Sequence, residues 1–122
     1  MKANELRIGN WVEYYLEPQI SEWVENKISV GDLAKIIQYP KAHGFRPIPL
    51  TEEKLIELGF QEVNCTKRGV LAQYSKSKIK FDISNSGNVY LSHKNILIKH
   101  VHHLQNLMFA LTREELTLTK KL

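Results

Sequence analysis

The 122-residue chain has one cysteine, Cys65, which excludes an intrachain disulfide and a thiolate metal cluster. Long apolar runs are missing too: the longest unbroken one is the five residues Leu107–Leu111, far short of a bilayer span. The opening MKANELRIGN lacks the apolar centre of a signal peptide, so the expectation is a soluble, cytoplasmic protein with no membrane partner. Its six glycines, Gly9, Gly31, Gly44, Gly59, Gly69 and Gly87, are dispersed, and no phosphate-cradling loop can be assembled from them. Nucleophile-elbow serines and carboxylates at catalytic spacing are also absent. The chain is therefore expected to have no catalytic residues and no cofactor. Acidic residues nearly vanish from one region: between positions 67 and 99, Lys67, Arg68, Lys76, Lys78, Lys80, Lys94 and Lys99 face only Asp82.

What is present describes a folded domain. Apolar residues at 43% and charged residues at 25% are ordinary for a globular protein, and the length fits a single α+β domain over residues 1–122. The net charge of +4 is uneven: residues 1–60 carry seven Lys/Arg against nine Asp/Glu, residues 61–122 ten against four. A field of one sign over one face attracts anionic partners and binds phosphate without reading bases. Lysines along a sheet also discourage edge pairing, which is the plainer account of the same pattern.

The runs QEVNC, VLAQYS, KIKFDIS, NVYLS and ILIKHV predict an antiparallel β-meander packed against two or three short helices. In the third run Ile79, Phe81 and Ile83 alternate with Lys78, Lys80 and Asp82, and Asn85–Asn88 supplies a hairpin loop with Gly87 at positive φ. LTEEKLIELGF predicts a helix capped by Thr51, stopped by Gly59, and stapled by Leu50 on Leu55. Glu52 and Glu53 suit the positive end of its dipole better than an acid–base role. Upstream, NELRIGNWVEYY predicts a short strand or strand pair, with Gly9-Asn10 as a turn-type dipeptide. EPQISEWVENKI predicts an amphipathic helix with Glu22 and Glu25 outward, LAKIIQY a strand, and PKAHGFRPIP an irregular link.

Three histidines occur in KHVHHLQNLMFALT. On a strand His100 and His102 would share a face and His103 would oppose them; with helical geometry from His102 onward the three would diverge further. No metal site is expected, since zinc needs three or four converging ligands and His43 and His93 could join only through the fold. The histidines read as a joint between strand and helix, with the His102 and His103 side chains bonding free backbone groups. Leu104, Leu107, Met108 and Leu111 then form the apolar stripe of a helix. Thr112 and Glu115 form a capping box for a further terminal turn bearing Leu116 and Leu118.

MKANELRIGNWV, FRPIPLTEEKLIELGF and VHHLQNLMFALTREEL together cover a little over a third of the chain. In this order they resemble a family of small uncharacterised proteins carried by phages, prophages and mobile elements of Bacteroidetes-type bacteria. The resemblance implies a compact α+β accessory protein without a known activity. Arg113 departs from the family pattern, which has glycine there, and the segment Pro18–Lys27 looks longer than the usual turn. In size, charge and origin the chain is similar to anti-CRISPR proteins, with a Cas13b-type RNA-guided RNase as the implied target. The implied partners are a host nuclease or its guide RNA, met by the lysines named above and by Glu22, Trp23 and Glu25. The alternatives are a nucleic-acid-binding accessory protein of the element and a sponge for a signalling nucleotide. Aromatic residues near the lysines, Tyr74, Phe81 and Tyr90, would serve single-stranded nucleic acid by stacking.

Overall fold

The computed structural model describes residues 3–16, 22–40, 44–64, 68–92, 94 and 96–118. Among the described residues, two antiparallel sheets and three α-helices make an α+β fold. The larger sheet is the expected meander, in order β4 (Gln61–Val63), β5 (Val70–Lys76), β6 (Ile79–Ser84), β7 (Val89–Leu91) and β8 (Ile96–Ile98). Phe81 and Ile83 point inward from its central strand, and Phe60 meets Phe81 edge-on at 5.5 Å between ring centres. Gly87 takes its positive φ of 88° in the β6–β7 loop.

Helix α2 (Glu52–Glu57) begins where Thr51 accepts a hydrogen bond from the Lys54 N–H. Gly59, at φ 91°, ends it, and a Cβ there would lie 2.7 Å from the Lys76 ammonium. Glycine is thus required by conformation, the lysine tip being able to swing aside. Helix α3 (Val101–Thr112) lies against the same sheet face, burying Val101, Leu104 and Met108 with Leu55, Leu58 and Phe81 in one core.

The N-terminal half departs from the sequence expectations. Of the expected short strand or strand pair, one strand forms, β1 (Trp11–Leu16), which starts after Gly9, while residues Ala3–Glu5 form a 3₁₀ turn. The segment expected to be an amphipathic helix is β2 (Glu22–Lys27): Val24 and Trp23 stand opposite Tyr14 and Tyr15, and aromatic cross-strand neighbours outweigh the local helical spacing. LAKIIQY lies in helix α1 (Val30–Gln38), not in a strand. Its start is fixed by a capping box in which Ser29 accepts from the Asp32 N–H and Asp32 accepts from the Ser29 N–H. Part of the expected irregular link pairs with β1 as β3 (Phe45–Pro47), completing the order β2-β1-β3. Strand β1 joins two cores, because Trp11 faces the main one while Val12 faces Leu6, Ile28 and Ile36 around α1.

The last helix also differs in phase. Its buried line is Val101, Leu104, Gln105 and Met108, whereas Leu107 is half-buried and Leu111 is 54% exposed. Thr112 caps no further helix; it donates to the Met108 carbonyl, and residues 113–118 run irregularly with Leu116 and Leu118 buried. Arg113 takes the left-handed C-cap conformation, φ 63° and ψ 12°. A side chain there is strained and glycine is not, although Arg113 gains a cation–π contact 5.8 Å from the Phe109 ring. Arg113→Gly is therefore expected to stabilise the protein by about 0.5–1 kcal/mol, read as a rise in melting temperature. Among the described residues no helix is long and apolar enough to cross a membrane.

Candidate functional site

The basic residues singled out in the sequence do not share one surface. Lys78, Lys80 and Lys94 line one open groove of about 450 Å³ together with Ile79, Leu91, Ser92 and Leu111. It lies at the β5–β6 turn end of the large sheet, where the Ser92 N–H donates to the Lys80 carbonyl. Lys99 follows Ile98, whose partner Val89 begins β7, so it lies toward the opposite end of the ladder. Arg68 borders a separate depression with Gly69, Val70, Asp82, Ser84 and Tyr90, and Val70 pairs with Ser84 at the far end of β6. Lys76 is spent structurally, its ammonium donating to the Leu58 carbonyl at 3.1 Å. Lys67 lies outside the described residues.

The groove is shaped by a strained turn. Ser77 and Lys78 join β5 to β6 with φ of 52° and 68°, the two-residue hairpin geometry that asparagine and glycine fill most easily. Ser77 fixes the turn by donating to Glu114 at 2.7 Å. The turn thereby holds the Lys78 backbone in a left-handed conformation, at a cost of about 1 kcal/mol or more. Leu91 and Leu111 supply an apolar floor between three exposed ammonium groups.

The acidic strand residues are placed differently. Glu25 pairs with Lys54, which also reaches Glu57 at 3.0 Å. Burial lowers the Lys54 pKa, but hydrogen bonds to Glu25 and Glu57 outweigh it and raise the value above its ordinary one. Trp23 carries the Arg46 guanidinium 3.9 Å above its ring and meets Tyr15 at 5.5 Å. Both side chains therefore hold β2 to its neighbours rather than standing as a free surface. Glu22 lies on β2, with its side chain outside the described ones. Glu52 accepts the Tyr74 hydroxyl at 2.6 Å, and burial together with that bond pushes the phenol up to about 12. A second cleft, about 290 Å³ between α1 and the small sheet, is bordered by both Asp32 and two lysines, Lys27 and Lys35, so its charge is mixed.

The three histidines converge instead of diverging. His100 is the N-cap of α3 in an extended conformation, φ −133° and ψ 153°, and an N-cap side chain lies over the first turn that holds His102 and His103. The junction is set by main-chain bonds on both sides: Leu50 N–H to the Lys99 carbonyl and Val101 N–H to the Ile48 carbonyl, both 2.9 Å. One nitrogen of each imidazole lies within 4.8 Å of the others. The His102 ring nitrogens have no hydrogen-bond partner among the described residues and His103 Nε2 meets Glu5 Oε1, contrary to the expectation that these two side chains bond free backbone groups; His100 makes no side-chain cap bond either. His43 and His93 lie outside the described residues, as does Cys65.

No protein-family model, curated protein or solved structure matches the chain.

Proposed function

We propose that the chain is a non-enzymatic accessory protein of a phage or other mobile element that acts in the cytoplasm as a counter-defence inhibitor. It docks on the guide RNA of a host RNA-guided nuclease, of the Cas13b type, through the lysine-edged groove. The observation that carries this reading is the groove itself: Lys78, Lys80 and Lys94 flank an apolar floor at the strained β5–β6 turn. Ammonium groups spaced around apolar side chains suit a strand whose phosphates meet the rim while a base or ribose covers the floor. Strain kept at a surface turn where glycine would relieve it is the kind that function retains. The three-stretch resemblance supports the mobile-element origin. Trp23 and Glu25, engaged within the fold, are not part of the proposed contact surface.

The test measures inhibition of target-RNA cleavage and binding to labelled guide RNA, alone and within the nuclease complex. The Lys78→Gly/Lys80→Glu/Lys94→Glu variant is expected to lose both activities while remaining folded. Unchanged inhibition by that variant overturns the reading. Equal affinity for any bare RNA, with no effect on the nuclease, would instead identify a nucleic-acid-binding accessory protein.

A further inference from the structure

His102 is 0% exposed, and neither of its ring nitrogens has a hydrogen-bond partner among the described residues. Leaving buried polar atoms unsatisfied is uncommon and calls for an explanation. The Nδ1 of His100 is likewise buried without a partner. Glu5, on the N-terminal 3₁₀ turn, reaches the same place: its Oε1 lies 3.1 Å from His103 Nε2 and 3.8 Å from His102 Nε2. One nitrogen of each of the three imidazoles thus lies within 4.8 Å of the others, and the Glu5 carboxylate stands beside two of them.

We propose that Glu5, His100, His102 and His103 form a four-coordinate site for a divalent transition metal of the zinc class, which pins the first turn of the chain to the start of α3. Imidazole and carboxylate donors suit zinc at about 2.0–2.2 Å. Drawing the histidine nitrogens from their mutual 4.8 Å limit onto one ion takes shifts of less than about 1 Å each, within reach of side-chain rotation. The positive end of α3 opposes a cation here, and the Glu5 carboxylate offsets it. With four protein ligands the site is closed, as in structural rather than catalytic zinc centres. Asn106 already fixes the approach of the turn by donating to the Glu5 carbonyl at 2.8 Å.

The experiment uses tag-free full-length protein, treated with chelator, dialysed and titrated with zinc chloride. Bound metal is counted by mass spectrometry and thermal unfolding is followed in parallel. The expected result is stoichiometric zinc, a higher melting temperature, and the visible bands of tetrahedral cobalt when cobalt(II) replaces zinc. His103→Ala and Glu5→Gln, both at partly exposed positions, are expected to weaken zinc at least ~10-fold, the lower end of what losing even an outer partner costs. His43→Ala/His93→Ala is expected to bind as the parent does. Absence of stoichiometric zinc, undiminished affinity in His103→Ala, or loss of binding in the His43/His93 variant would each overturn the site.

Discussion

Replacing Gln105 with leucine is expected to destabilise the protein by on the order of 3–4 kcal/mol, a large part of a typical domain's 5–15 kcal/mol. Gln105 is fully buried on the inner face of α3 and serves two distant segments at once. Its Oε1 accepts from the Trp11 N–H at 2.8 Å, and its Nε2 donates to the Leu116 carbonyl at 2.8 Å. Longer bonds reach Asn10 Nδ2 and the Gly9 carbonyl, both at 3.4 Å. Leucine fills the space and abandons the backbone groups, each of which then carries a desolvation penalty of about 1–3 kcal/mol. Glutamate should fail as well, since a carboxylate keeps the Trp11 bond but brings negative charge to two carbonyl oxygens. Leu111→Ala provides the contrast: on the apolar stripe read from sequence it would rank as a core change, but at 54% exposure it should move stability by less than about 0.5 kcal/mol. Urea midpoints at unchanged slope decide between the two.

Gln105 also shows where sequence reading ran out. Leu104, Leu107, Met108 and Leu111 made a consistent stripe that leaves Gln105 out. Its partners, at positions 9, 10, 11 and 116, are supplied by the tertiary fold and leave no local signal. The meander was legible because its strands are short apolar-rich runs, the central one alternates, and the loop after it carries Asn, Ser and Gly. Helix α2 was legible because cap, dipole and stop residues agree. In α1 the adjacent Ile36 and Ile37 masked a capping box that was present one turn earlier, at Ser29 and Asp32. In β2, Trp23 and Val24 matched a helical spacing, and only Tyr14 and Tyr15 across the hairpin decide for a strand.

The site was half legible for the same reason. Lysine enrichment was visible, but which lysines share a surface depends on register: the β6–β7–β8 pairing carries Lys99 away from Lys80, and the Leu58 carbonyl claims Lys76. The histidine cluster needed the backbone to switch from extended to helical between His100 and Val101, a step that spacing alone places either side of the joint. The three stretches carrying the family resemblance meet in space. Arg7 donates to Asn106 at 2.7 Å and pairs with Glu115 at 2.9 Å, while Ile48, Leu50, Leu55, Val101 and Leu104 share the main core.

Charge reversal in the groove should separate binding from stability. If Lys78, Lys80 and Lys94 each neutralise one phosphate of a single strand, the Lys78→Gly/Lys80→Glu/Lys94→Glu variant loses three ammonium contacts. The slope of log affinity against log salt should then shrink by about 2, at about 0.7 per phosphate. Repulsion from two new carboxylates adds to the loss, so affinity at low salt should fall by about two orders of magnitude or more. Glycine at position 78 accepts the positive φ of 68° that lysine tolerates poorly, and the hairpin should gain about 1 kcal/mol. Lower affinity together with an equal or higher melting temperature cannot come from unfolding. Arg68→Glu/Lys99→Glu reverses two charges toward the other end of the sheet and should cost less than about tenfold through the long-range field. Equal losses in the two variants would mean that net charge, not the groove, governs the interaction.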